Sequence, residues 1–206
     1  TPAFDLPGAT TGATTRPGDA TDIFSATPEY GERLGGIVIR RGISDGYGAY
    51  TPSHIHIKNL DVSGAANGAS YTTLDGGTDN YNASAGIYFL LAEDCLLENC
   101  VITDNGFGIF TQAKDDLYSE ACKRLTFRNC RVYGNGISGS WFEHNFYIQC
   151  ANPIIEGCYI GRVRSGSLGS TYKSRSSGEI FRYNYVEGSA RVCDWVHSED
   201  QNTDGI

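Results

Sequence analysis

The run STYKSRS (170–176) sets two cations side by side. Lys173 and Arg175 are two apart in a segment with strand character, and side chains two apart on a strand share a face. Like charges that close repel. The pair is either an accident of a solvated surface or a seat for an outside anion such as a carboxylate, which the planar Arg fork suits. The neighbourhood favours the anion. Residues 160–191 contain Arg162, Arg164, Lys173, Arg175, Arg182 and Arg191 against Glu179 and Glu187, a local charge of +4 in a chain whose net charge is −8. A cationic patch on an acidic chain points to an anion-binding site.

Four other short runs align with "TYKS" (171–174): "GIYF" (86–89), "GIFT" (108–111), "NFYI" (145–148) and "VCDW" (192–195). Ile87, Ile109, Phe146, Tyr172 and Cys193 share one parity, mostly apolar, and are expected to point inward. The opposite parity gives Tyr88, Phe110, Tyr147, Lys173 and Asp194. Two residues on come Leu90, Gln112, Gln149, Arg175 and Val196, and two residues earlier Gly86, Gly108 and Asn145. The register predicts one outward constellation of Asn145, Tyr147, Gln149, Lys173, Arg175 and Asp194. Asp194 is expected to hold Lys173 charged and oriented through a charge-assisted bond, leaving Arg175 to an outside anion. Tyr88 and Phe110 extend the face as flat surfaces for sugar rings. An ordinary solvated sheet face is the bland alternative.

These strands need a scaffold, and a repeat supplies it. "IHIKNLDV" (55–62), "CLLENCVI" (95–102), "LTFRNCRV" (125–132), "PIIEGCYI" (153–160) and "EIFRYNYV" (179–186) fall into one register. Their equivalent positions Leu60, Cys100, Cys130, Cys158 and Asn184 are separated by 40, 30, 28 and 26 residues. Such periods mark a solenoid. Alternation broken by two outward residues describes a strand turning a corner into a second strand, and the aligned runs above provide a third. Three short strands per turn give an all-β fold, a right-handed parallel β-helix. Unequal periods place loops at 64–84, 112–123 and 134–143, with "DNG" (104–106) and "GNG" (134–136) as turn chemistry. Equivalent residues stack about 4.8 Å apart, so Cys100, Cys130 and Cys158 form an internal ladder. Packing thiols are expected there rather than disulfides, and Asn184 is expected to bond to backbone amides in the bend.

Composition agrees. The chain has 206 residues, 26 Gly and 13 Tyr, which favours many short strands joined by turns. The net charge of −8 argues against nucleic acid as a partner. No apolar run approaches the roughly 20 residues of a membrane helix. The chain starts at Thr1 and contains no Met, which reads as a processed chain or a piece of a longer helix. Residues 1–34 lack a strand pattern and read as a cap, linker or arm, with β-helix coils over 35–206, incomplete at the C-terminus. "NAS" (82–84) is a glycosylation sequon of a kind that also arises by chance. "HSED" (197–200) reads as a turn.

The run from "HNFYI" through "HSED" (144–200) resembles bacterial right-handed β-helix proteins of the pectate-lyase-like superfamily. The resemblance rests on "HN-x-Y" (144–147), "K-x-R-S" (173–176), "RYN" (182–184) and an Asp three residues after an Arg (191–194). "GIVIRRG" (36–42), "IHIKNLDVSGA" (55–65) and "DNGFGIF" (104–110) extend it upstream. It implies the β-helix fold and, in many such proteins, degradation of polysaccharides, with lyases, hydrolases, epimerases and phage adhesins on the same scaffold. Members usually run on for several more coils, so residues completing the groove are expected beyond Ile206. The substrate class implies a secreted, extracellular or periplasmic protein.

Three functions fit. The leading one is a uronate polysaccharide lyase, which removes the proton next to a carboxylate and expels the glycosidic oxygen. Arg175, helped by Asn145 or Gln149, neutralises the carboxylate, while Lys173 and Tyr147 are base and acid in an order left open. Asp194 favours the charged form of Lys173 and Arg175 opposes it, and a Lys acting as base must be neutral. Arg191 and His144 complete the substrate-binding candidates, although a His near a turn is more often a structural hydrogen-bonder. Similar lyases often neutralise the carboxylate with calcium, but this face carries no cluster of carboxylates and no metal is expected. The second reading is a glycoside hydrolase, which needs two carboxylates about 5–9.5 Å apart. Asp194 alone is on the face, and Asp104 or Asp116 must arrive from loops. The third is a non-catalytic carbohydrate-binding or adhesin β-helix. In each case the partner is a polysaccharide, anionic for the lyase.

Overall fold

A computed structural model describes residues 3–5, 35–40, 51–73, 76–112 and 121–196. Its main strands stack into three parallel sheets, one strand from each per coil. The sheet that carries the cations, here the site sheet, runs Gly35–Arg40, Ala85–Leu90, Phe107–Gln112, Phe146–Ile148, Ser170–Ser174, Arg191–Trp195. The second runs His56–Lys58, Leu96–Glu98, Thr126–Arg128, Ile154–Glu156, Ile180–Arg182, and the third ends with Val101–Ile102, Arg131–Val132, Tyr159–Ile160, Tyr185–Val186. This is the parallel β-helix that the repeat predicts. Among the described residues no helix is long and apolar enough to cross a membrane.

The corner between the second and third sheets shows why the sequence winds this way. Asn59, Asn99, Asn129, Gly157 and Tyr183 occupy it in successive coils, all with φ between 51° and 65°. That left-handed conformation is tolerated by Asn and open to Gly. Gly157 has a second reason, because a Cβ there would run into the Asn129 carboxamide. Asp94, Arg124, Asn152 and Gly178 form a second left-handed corner, before the second sheet. The residue after the first corner turns inward. Cys100, Cys130 and Cys158 are buried there as free thiols, each donating to the carbonyl two residues back at 3.3–3.5 Å. Asn184 ends the ladder by accepting from the Cys158 N–H and donating to the Ile155 carbonyl, both at 2.9 Å. A further pair, Cys122 and Cys150, faces in register at the neighbouring corner.

The core is what the inward parities predict. Ile87, Ile109, Phe146 and Tyr172 from the site sheet meet Leu97, Phe127 and Ile155 from the second and Ile102, Val132 and Ile160 from the third. Each such side chain contributes roughly 1.5–3 kcal/mol. Outside the second sheet, Lys58, Glu98, Arg128, Glu156 and Arg182 stack in register with alternating sign. Glu156 is held between Arg128 and Arg182, each at 2.7 Å, which lowers its carboxyl pKa.

Several expectations change. "DNG" and "GNG" supply an interior polar ladder as well as turns. The Asn105 N–H donates to Asn135 Oδ1 and the Asn135 N–H to Asn145 Oδ1, both at 3.1 Å. The 64–84 loop contains an antiparallel hairpin, Ser70–Thr72 with Thr78–Asn80, under which the Tyr71 and Tyr81 rings pack 4.6 Å apart. Within 1–34, Ala3–Asp5 lies parallel to Asp61–Ser63. The remainder of that segment, "HSED" and Asp116 lie outside the described residues.

Candidate functional site

Parallel pairing of the site sheet fixes the outward row. Val38, Tyr88, Phe110, Tyr147, Lys173 and Asp194 are consecutive partners in register, which is the row expected from the alternation. Tyr147 is its centre. Its ring stacks on Phe110 (5.2 Å between centroids, 12° between planes), and Lys173 Nζ sits 5.0 Å from its centroid on the next strand. Its hydroxyl oxygen accepts from Arg175 Nε at 3.1 Å and from Gln149 Nε2 at 3.5 Å. A phenol oxygen, a guanidinium and an ammonium therefore converge from two adjacent strands.

Asn145 is not on this face. It is fully buried as the third rung of the Asn ladder, donating through Nδ2 to the Gly161 carbonyl at 2.7 Å. The third corner, between the third sheet and the site sheet, breaks strict alternation, so Asn145 and Phe146 both turn inward. Asp194 does not take Lys173 as its ion-pair partner. Its carboxylate pairs with Arg191 on its own strand at 3.3 Å and accepts from Ser170 Oγ at 3.5 Å, while Lys173 lies over the Tyr147 ring. Arg175 is tied to the Tyr147 hydroxyl rather than left to solvent. Tyr88 is 3% exposed and donates its hydroxyl to Gln112, so it is a buried support and not an open sugar platform. Phe110 is half-buried, with Phe107 stacked on it at 4.8 Å.

His144 lies at the edge of the site but is buried. The Ser170 backbone N–H donates to its Nδ1 at 2.7 Å, which leaves Nε2 as the protonated nitrogen. Its ring meets the Tyr147 ring edge-on, 5.4 Å between centroids. Burial, reinforced by the positive charges of Lys173 and Arg191, pushes its pKa down to about 3. Among the described residues His144 Nε2 and Glu143 Oε2 are buried without a hydrogen-bond partner. Phe107, Ser170 and Glu143 were not among the sequence candidates. The signal for the first two was there: Phe107, His144, Ser170 and Arg191 are one register column, two residues before the inward row.

Among the described residues Lys173, Arg175 and Arg191 lie around Tyr147 and His144, and Asp194, paired with Arg191, is the carboxylate on the outward rows. Those described groups alone do not make the six to eight oxygen ligands that calcium takes. Among the described residues no three His, Cys, Asp or Glu side chains come together as a metal site. The site can accept an anion, place a phenol oxygen beside two cations, and pack an apolar ring face against Phe110.

A family model for the right-handed beta helix region matches residues 29–145, more than half of the chain. The match ends at Asn145, and the coils bearing Tyr147, Lys173, Arg175 and Arg191 continue the same register beyond it. Comparisons with curated proteins and with solved structures give no match. With its stacked parallel sheets and this match, the chain belongs to the right-handed β-helix family.

Proposed function

We propose that the chain is a polysaccharide lyase of the pectate-lyase-like kind, cleaving a uronate-containing polysaccharide by β-elimination. The observation that carries this reading is Tyr147, whose hydroxyl oxygen takes a hydrogen bond from Arg175 while Lys173 lies over its ring. The substrate carboxylate sits among Lys173, Arg175 and Arg191, whose charge stabilises the carbanion-like transition state. Tyr147 Oη takes the proton from the carbon next to the carboxylate, and Arg175 stabilises the negative charge this requires. The electron pair left behind forms the double bond as the glycosidic C–O bond breaks. Lys173, charged, gives its proton to the departing oxygen. No metal is used, and the anionic polysaccharide places the protein outside the cell or in the periplasm.

A glycoside hydrolase has less support, because among the described residues the outward rows carry no second carboxylate and Asp194 is paired. A binding module of the same face needs the cations and Phe110 but no proton acceptor. The test is the ultraviolet absorbance of unsaturated sugar ends on pectate, alginate and glycosaminoglycans. Absorbance should rise with the unaltered chain and be lost in Lys173→Ala and Tyr147→Phe. Reducing ends without absorbance would mean hydrolysis, and neither signal would leave a binding face.

A further inference from the structure

Among the described residues seven large apolar side chains are exposed. Ile180, Tyr183, Tyr185, Val192 and Trp195 stand on the last described coil, and that position accounts for their exposure. Trp141 and Phe142 are different. They lie on the corner between Arg131–Val132 and Phe146–Ile148, and the corners of two further coils stack beyond theirs. They are nevertheless 55% and 76% exposed. The backbone that carries them is held in place. The Gly139 N–H donates to the Gly166 carbonyl at 2.8 Å and the Leu168 N–H to the Ser140 carbonyl at 2.9 Å, which ties this corner to the next. The Phe142 N–H donates to Ser140 Oγ at 3.3 Å, and the two residues that follow, Glu143 and His144, are buried. A fixed loop thus keeps two aromatic rings in water, outside the described apolar clusters, and gives up the stability their burial would bring.

The pair borders the site. Phe142 is two residues from His144, so their Cα atoms are at most about 7.6 Å apart, and the His144 ring lies 5.4 Å from the Tyr147 ring. The exposed neighbours on the two tied corners are Ser138, Gly139, Arg162, Ser165 and Gly166, all small or polar. Two rings offer roughly 150–250 Å² each, well short of the ~800 Å² that each side of a protein interface buries. A pyranose fits them better, because its C–H face packs on an aromatic ring while its hydroxyls stay at the polar rim. We propose that Trp141 and Phe142 form a sugar-stacking subsite at the edge where the strand of Tyr147 begins, beside the sugar that Tyr147 meets. The ligand's chemistry rests on the uronate reading, but the stacking does not depend on cleavage. Lys173 and Arg175 answer the carboxylates of the polysaccharide, and Trp141 and Phe142 answer its apolar ring faces.

The chain has two tryptophans, Trp141 and Trp195, so Trp195→Phe leaves Trp141 as the indole reporter. Its emission is followed as tetrasaccharides of pectate, alginate and a glycosaminoglycan are added to the full chain. At least one should change the emission saturably, with the Kd that calorimetry gives. Trp141→Ala and Phe142→Ala, both at exposed positions, should each weaken that affinity about tenfold, a loss of the size seen for aromatic hot spots. Binding by calorimetry without a change in Trp141 emission would overturn the inference. So would affinities within about twofold of the unaltered chain in both Ala variants, or no binding of any tetrasaccharide. Emission that follows protein dilution instead of sugar would overturn it too, by making the pair a contact between copies of the chain. If Trp195→Phe does not fold, the difference in emission between the unaltered chain and Trp141→Ala gives the same signal. Unsaturated products are read separately. A saturable Trp141 signal without them keeps this inference and removes the lyase, while products formed with an unchanged KM in both Ala variants do the reverse.

Discussion

Arg175 Nε donates to the hydroxyl oxygen of Tyr147 across one strand spacing, 3.1 Å from nitrogen to oxygen. The contact joins the two outward rows and puts a permanent cation on the one atom of Tyr147 that can exchange a proton. A guanidinium N–H aimed at a phenol oxygen favours the phenolate. A Lys ammonium in its place is a point charge on a flexible stem, without the planar fork.

Tyr147→Phe therefore removes the proton acceptor but keeps the ring that stacks on Phe110. Product formation should fall by ~10²–10⁴, the usual worth of one acid–base group. Affinity for an uncleaved oligosaccharide should change less than threefold. Arg175→Lys should lower turnover in the same direction by about tenfold or more and shift its alkaline pH limb. Steady-state rates alongside calorimetric affinities separate the two effects, and equal loss of both in Tyr147→Phe would assign Tyr147 to binding alone.

His144 makes a prediction about acid stability. Its pKa is near 3 in the folded chain, mainly through burial, against about 6.5 when unfolded. Between those values the unfolded state binds the extra proton. Stability from this residue is thus complete above pH 6.5 and lost as pH falls toward 3, with a slope of up to ~1.4 kcal/mol per pH unit. His144→Gln, whose amide oxygen can accept the Ser170 N–H, should remove most of that slope. Urea unfolding of both chains between pH 7 and 4 checks it, and parallel curves would mean that His144 titrates normally.

Why some of the site was legible and some was not comes down to corners and reach. Ile87, Ile109, Phe146 and Tyr172 alternate with Tyr88, Phe110, Tyr147 and Lys173, and a half-buried parallel sheet must follow that alternation. It fails at Asn145 because the third corner needs a buried amide to satisfy the backbone of neighbouring coils, and a corner residue obeys no strand parity. Asp194 had two cations within reach, Lys173 one strand away and Arg191 three residues earlier. Register alone favours the first, whereas side-chain reach and the pull of the Tyr147 ring on the ammonium decide for the second. The left-handed corners were written as Asn59, Asn99, Asn129 and Gly157.

The Asn ladder should be worth more than its size suggests. Asn135 Nδ2 donates to the carbonyls of Ile102 and Tyr133, both at 3.1 Å, and its Oδ1 accepts the Asn105 N–H. Asn135→Ala removes the partner of the Asn105 N–H and of the Tyr133 carbonyl, while the Ile102 carbonyl keeps the Tyr133 N–H, at about 1–3 kcal/mol for each group that water does not reach. Unfolding in urea should show a loss of roughly 3 kcal/mol or more. Asn145→Ala, which removes the bond to the Gly161 carbonyl, should cost a comparable amount and lower activity only through stability. A loss below about 0.5 kcal/mol in both would mean that the ladder contributes little beyond filling space.

The cysteines divide by position in the helix. Cys95, Cys100, Cys122, Cys130, Cys150 and Cys158 are buried, and burial pushes Cys122 up to about 12 and Cys150 well above the usual thiol range. Thiolate is the reactive form, so Cys122 and Cys150, inaccessible and protonated, should resist alkylation at pH 8, whereas Cys100 and Cys158, whose pKa the hydrogen bonds with Cys130 lower, to about 7 for Cys100, are protected by burial alone. Cys193 faces the same interior but stands on the last described strand of the site sheet, half-buried, with its pKa only raised by partial desolvation. It should react first. Timed iodoacetamide labelling read by peptide mass should give one modified site, Cys193, in the native chain, with the other six appearing only after unfolding. Early labelling of Cys100 or Cys158 alongside Cys193 would show that the coils open locally at the ladder, and the Asn135→Ala chain is where that opening should be seen first.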